Sequence, residues 1–135
     1  MLLAMVRVGE CEIGLLPAEG AGVVALKRLE DARKAGDHIL GVIRGIGLSN
    51  DGRGRGLLVP SAIGQQRAMQ KAYDCAGIDP NSVSLLECHA TGTPIGDATE
   101  LRSMAKVFSA PIGVGSLKSN MGHLITAAGV AGLLK

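Results

Sequence analysis

His89 and His123 are the residues best placed to do chemistry, because each stands where an apolar run gives way to a turn rich in glycine, threonine or asparagine. Val83–Cys88 (VSLLEC) is a short apolar run closed by Thr91-Gly92-Thr93-Pro94, which reads as a strand ending in a loop. Ile112–Ser116 (IGVGS) is a second such run, and Lys118-Ser119-Asn120 leads from it into Met121–Leu134, apolar almost all round and expected to be a buried helix. A Gly-rich turn ahead of a helix lets a backbone come close to a ligand. The two histidines are one strand–helix–strand unit apart. In a parallel α/β sheet that spacing brings both to one edge, where such sheets bind ligands. A lone histidine at a strand end is more often a core residue satisfied by a carbonyl; two in this setting point to a site.

Other chemistries fit less well. Cys88, His89, Asp97, Glu100 and His123 include acceptable zinc ligands, yet their spacing matches no zinc motif and neighbours on a strand face opposite ways, so no metal is expected. There is no GxSxG elbow for a hydrolase, and the glycines of Gly45–Gly56 lack the GKS or GKT ending of a phosphate loop.

Composition narrows the class further. The chain has 135 residues, 47% hydrophobic, with 20 glycines and a net charge of +2, as suits one globular domain at most. Fourteen basic residues against 12 acidic ones make no field that implies nucleic acid, and the arginines of Asp51–Gly56 (DGRGRG) lack interleaved aromatics. Cys11, Cys75 and Cys88 are odd in number and form no CxxC pair, which indicates free thiols in a reducing compartment. Met1–Val8 is too short for a signal peptide, and Met121–Leu134 is too short to cross a bilayer, so a cytoplasmic location is expected.

The elements that must position the histidines can be read in order. Met1–Gly14 matches no pattern. Ala21–Leu29 reads as a strand and Glu30–Ala35 as a short polar helix stopped by Gly36. Ile39–Leu48 reads as a second strand, with Gly41, Gly45 and Gly47 marking a bulge or close packing, and Ser49–Leu57 as a loop. Ser61 caps a helix that Gly77 and Pro80 end. Asp97 and Glu100 suit a capping box for a helix running to Phe108. Alternating strands and helices give an α/β layout with adjacent parallel strands.

HATGTPIGDATE (His89–Glu100) followed by IGVGSLKSNMGHLITAAGVAGLLK (Ile112–Lys135) resembles the two histidine motifs of the β-ketoacyl synthases, the condensing enzymes of fatty-acid and polyketide assembly. The resemblance extends upstream through Ala18–Leu29 and Val42–Ser61, and SNDGRGRGLLVPS is most similar to the ketosynthases of iterative type I polyketide synthases. It implies the thiolase-like fold, two similar α/β halves, of which residues 1–37 would be the end of the first and 38–135 the start of the second. It also implies decarboxylative Claisen condensation: a cysteine holds the growing acyl chain as a thioester, and two histidines, matched by His89 and His123, serve the malonyl extender. Two imidazole N–H groups aimed at the thioester oxygen would form an oxyanion hole for the charge left by CO2. Lys118 matches a lysine that supports the histidines, and Glu100 an acid that pairs with it. Thr91 and Thr93 match threonines that hydrogen-bond the phosphopantetheine arm of an acyl carrier protein. Asn120 and Asp97 are expected to support the turns. No bound cofactor is implied; the partners implied are the acyl carrier protein and a second copy in a homodimer.

One departure matters. The family's nucleophilic cysteine lies farther upstream of the first histidine than this sequence extends, and Cys88, beside His89, reads as a buried thiol. The piece alone is therefore expected to be inactive, part of a longer enzyme. The alternative is a structural partner or remnant without the cysteine. Leu133-Leu134-Lys135 carries no helix stop signal, in line with a fragment that exposes edge strands and is poorly soluble by itself.

Overall fold

Charge order explains the first helix, α1 (Leu29–Ala35): Glu30 and Asp31 stand in its first turn and Arg33 and Lys34 in its last, as the helix dipole favours. Gly36 ends it at φ 69°, and the Gly36 and Asp37 N–H groups return to the carbonyls of Arg33 and Ala32. The computed structural model describes residues 14–53, 56 and 59–135. Expectations for residues 1–13, Cys11 included, lie outside the described residues, as does part of the Ser49–Leu57 loop.

Helix α2 (Ala62–Ala76) begins and ends where its sequence indicates. The Ser61 Oγ accepts the Gly64 N–H at 3.2 Å, and Gly77 closes the helix in the left-handed conformation. Strand β1 (Leu85–Glu87) pairs in parallel with strand β2 (Gly113–Gly115), with Leu86 opposite Val114. Helix α3 (Pro94–Val107) crosses between them. Its cap is Thr93, with Pro94 in the first turn where a missing N–H costs nothing. Asp97 is thus inside the helix, and the capping box is not formed; Glu100 bonds elsewhere, as described below.

The core lies between this unit and α2. Cys88, Met104 and Phe108 are buried, with Met69, Tyr73, Leu86 and Ile112 packed on them. The rings of Tyr73 and Phe108 meet edge to face at 5.8 Å. Ser103, fully buried, joins the two helices: its Oγ lies 2.7 Å from Gln65 Oε1 and 2.8 Å from the Thr99 carbonyl.

Two expected strands are not formed. Ala21–Arg28 and Ile39–Leu48 pair with nothing among the described residues, and a strand exists only through the ladder that satisfies its N–H and C=O groups. Several of their large apolar side chains are exposed, Val23 at 91% and Leu40 at 89%. Ile39–Leu48 lies instead along α2. A Cβ on Gly45 would collide with the Ala72 carbonyl and one on Gly47 with the Ala68 carbonyl, so these two glycines mark close packing and not a bulge.

The apolar run Met121–Leu134 is also not one buried helix. It divides into α4 (Lys118–Met121), a 3-10 turn at Ile125–Ala127 and α5 (Ala128–Leu134), and Leu133 and Leu134 are exposed. Gly122 at φ 79° breaks the run just before His123. The break is imposed by an outside segment: the His123 N–H donates to the Leu16 carbonyl at 2.8 Å, and the Ala18 N–H to the His123 carbonyl at 2.9 Å. A backbone captured on both sides by another segment cannot also close i to i−4 bonds.

Candidate functional site

Both histidines arrive at the same end of the two-stranded sheet. His89 follows β1 directly after Cys88, whose N–H donates to the Gly115 carbonyl at 2.7 Å and extends the ladder to the rim of the site. His123 follows α4. The rings stand edge to face with centroids 5.3 Å apart and planes at 88°.

Each turn is held by a specific bond. Both oxygens of Glu100 accept backbone N–H groups, Oε1 from His89 at 2.7 Å and Oε2 from Ala90 at 2.8 Å. A carboxylate that receives two amides locks the turn, and it sustains Ala90 at φ 34°, a conformation side chains rarely adopt. At the other turn the Ile125 N–H donates to His123 Nδ1 at 2.9 Å, with Ile125 itself at φ 50°. A branched residue in that region is strained. An Nδ1 that accepts carries no proton, so in the neutral ring the proton sits on Nε2, free to donate.

Lys118 opens α4 and forms no ion pair among the described residues. The expected pairing with Glu100 is absent because the two Glu100 oxygens are taken by the His89 and Ala90 amides. Its charge acts on His89, whose pKa is pulled below the ordinary histidine value of 6.5: desolvation contributes most, then Lys118, with His123 adding to the effect and Glu100 and Asp97 opposing it. His89 keeps an exposed edge, so a substrate can reach it. An NMR titration of His89 is therefore expected to show a midpoint below 6.5, and one above 6.5 would contradict this electrostatic account. The unfolded chain takes up the proton first as the pH falls; the stability linked to this ring is complete above pH 6.5 and is lost as the pH drops through the folded-state value.

Thr91 and Thr93 lie on one side of the first turn, their hydroxyls 3.1 Å apart, with Thr93 Oγ1 over Gly96 where a Cβ would displace it. Asp97 sits in the first turn of α3, and its Oδ1 is buried with no protein partner. Asn120 is exposed in α4, its Oδ1 3.2 Å from Ser119 Oγ. His123 lies outside any helix, between α4 and the 3-10 turn.

Sequence reasoning missed two contributors. Leu16-Pro17-Ala18 runs beside His123 as a parallel bridge and forms a wall of the site. Glu87, the last residue of β1, accepts the Leu117 N–H at 2.6 Å and Lys135 Nζ at 3.0 Å. Nothing local signals either, although a glutamate inside an apolar run (LLEC) is unusual enough to mark.

Cys88 is turned into the core, its Sγ 3.9 Å from Met104 Sδ. Burial, then the charges of Glu100 and Glu87, raise its pKa against the opposing lysines. Cys75 is exposed. Alkylation of the native protein followed by mass mapping is expected to label Cys75 well before Cys88; equal rates would mean that the Cys88 thiol is accessible.

Residues 40–135 match the family described as "Beta-ketoacyl synthase, C-terminal domain". The chain is 43% identical over 128 residues to the Highly reducing polyketide synthase phiA of Fungal sp. (strain ATCC 74256), a match that covers 90% of this chain and 5% of that protein. It is 45% identical over 124 residues to the Mycocerosic acid synthase-like polyketide synthase of Mycolicibacterium smegmatis, covering 90% of this chain and 6% of that one. Among solved structures, the ketosynthase from module 6 of the bacillaene synthase from Bacillus subtilis 168 superposes with a TM-score of 0.75 at 43% identity, covering 79% of this chain and 20% of that chain. The chain thus spans 5% to 6% of the length of these two curated relatives. The parallel β1–β2 unit, with His89 just after β1 and His123 just after α4, set beside these matches, makes the chain a member of the β-ketoacyl synthase family, with the α/β, thiolase-like fold of its ketosynthases.

Proposed function

We propose that this chain supplies the two-histidine part of a β-ketoacyl synthase site that carries out decarboxylative Claisen condensation in polyketide or fatty-acid assembly. The observation that carries the reading is the edge-to-face pair of His89 and His123 at 5.3 Å, with His123 Nε2 free to donate. A malonyl-type thioester placed with its carbonyl oxygen between the rings loses CO2 when the bond from its central carbon to the carboxylate breaks. The electron pair moves into the enolate, and the N–H donors stabilise the oxygen that receives the charge. The enolate carbon then attacks an acyl thioester held on a cysteine, and the cysteine sulfur leaves. That cysteine is not Cys88, which faces the core, and it belongs to sequence other than these two turns.

The remaining residues take supporting parts in this reading. Burial first, and then the charge of Lys118, favour the neutral form of His89. Glu100 holds the His89 turn by its two amide bonds, Asp97 lines the start of α3, and Asn120 shapes the turn before His123. Thr91 and Thr93 present hydroxyls to the phosphopantetheine arm of an acyl carrier protein, and the working enzyme is a cytoplasmic homodimer. Residues 1–37 belong to the end of the first α/β half and 38–135 to the second, a division supported by the family match that starts at residue 40. The test is CO2 release from a malonyl thioester by the full-length synthase with His89 or His123 replaced by alanine. A large fall with enzyme acylation intact supports the reading. Unchanged CO2 release overturns it and favours a structural partner without the cysteine.

A further inference from the structure

Glu87 takes no part in the reaction proposed above, yet it stands between the elements that carry both histidines. It ends β1 two residues before His89. Its neighbours Leu86 and Cys88 turn into the core, so alternation along the strand sends Glu87 to the opposite face of the sheet, against α5. A Cβ on Gly132 of α5 would lie 3.4 Å from Glu87 Cγ, and one on Gly115 of β2 3.7 Å from Oε2. With 24% of the side chain exposed, the carboxylate meets two charge-assisted partners in partial shelter from water. Oε1 takes the Leu117 N–H at 2.6 Å, just before α4, and Oε2 takes Lys135 Nζ at 3.0 Å, just after α5. His123 lies between those two anchored points.

We infer that Glu87 is a positioning residue for the histidine pair: by holding the Leu117 amide and the Lys135 ammonium it fixes α4 and α5 against β1, and through them the separation of His123 from His89. The inference rests on the two-histidine reading above. Burial by itself would raise the Glu87 pKa, but the Leu117 and Lys135 bonds and the charges of Lys135 and Lys118 outweigh it, so the group stays ionised in the neutral range. The two carboxylates then act alike on the two turns, Glu100 through the amides of His89 and Ala90 and Glu87 through that of Leu117.

The test uses the full-length synthase containing this chain, with Glu87→Leu, Glu87→Gln and Lys135→Ala beside His123→Ala as reference. CO2 release from a malonyl thioester and acyl loading of the enzyme thiol are measured on each. Glu87→Leu is expected to lower CO2 release by roughly 10- to 100-fold, the scale of a misplaced catalytic group, with acyl loading little changed. Glu87→Gln, whose amide oxygen can still accept the Leu117 N–H, is expected to recover most of that loss. A parallel fall of both activities in Glu87→Leu and Glu87→Gln marks a residue needed only for folding and overturns the inference, as does unchanged CO2 release in Glu87→Leu. Should Glu87→Leu not fold, Lys135→Ala decides: CO2 release that falls while acyl loading holds supports the inference, and two activities that both stay at the parent level or fall together overturn it. If His123→Ala itself releases CO2 normally, the two-histidine reading has failed whatever Glu87 does.

Discussion

His123→Ala in the full-length synthase is expected to slow release of CO2 from a malonyl thioester by roughly 100- to 1,000-fold, about 2.7–4 kcal/mol of lost transition-state stabilisation. The size follows from where the donor points. His123 Nδ1 is engaged by the Ile125 N–H, which leaves Nε2–H as the outward donor and removes the need to reorient the ring during reaction. A preorganised donor acts on the charge that develops on the enolate oxygen, and its loss falls on the rate more than on substrate binding. His123→Asn, with a side-chain amide that can still donate, is expected to recover part of the loss.

His89→Ala is expected to behave similarly. The double variant should lose less than the product of the two single losses, because both rings serve one oxygen. Acyl loading is the internal control, since it does not pass through the enolate. A single variant within a few-fold of the parent in CO2 release, with the fold intact, would remove the rings from the reaction.

Gly47→Ala carries the second large effect, a loss of stability. The backbone at Gly47 lies directly against the Ala68 carbonyl and the Ala72 amide of α2, so one added methyl has no room unless the segment or the helix moves. Overpacking of this kind costs about 1–3 kcal/mol, and contact with backbone in place of a flexible side chain puts Gly47 at the upper end. Gly41→Ala, in the same segment with nothing within 4 Å of the new Cβ, is the control and is expected to be neutral or to stabilise by about 0.4–1 kcal/mol through the unfolded chain. Denaturation midpoints of the two variants in the same parent protein check the contrast. Equal midpoints would show that residues 45–47 do not rest on α2 in solution.

The same segment shows how far pattern reading goes. Ile39–Leu48 has the apolar content and spaced glycines of a strand, and of these Gly45 and Gly47 stand at close approaches to α2 while Gly41 meets nothing within 4 Å. Whether it becomes a strand depends on a partner edge, and periodicity within one segment contains no information about a partner. Met121–Leu134 is the converse case: its apolar run predicts one helix, but Leu16 and Ala18 capture the backbone of His123 and divide it. Asp97 and Glu100 have the spacing of a capping box, yet Glu100 binds the two amides next to His89, because the turn brings them within reach of both its oxygens.

What the sequence determined by itself is local: the Ser61 and Gly77 caps of α2, the parallel pair β1 and β2 with α3 between them, the two histidine turns, and through their wording the family. The caps and turns depend on residues a few positions apart, and the parallel pair on the order strand, helix, strand along the chain, so type, spacing and order suffice. Only the tertiary structure decided which group each turn is tied to, the tautomer of His123, the wall formed by Leu16–Ala18, and the place of Glu87 between β1, α4 and α5. Most of those bonds join residues distant in the chain, and their partners are chosen by which surfaces the packed elements bring within about 3 Å, the reach of a hydrogen bond.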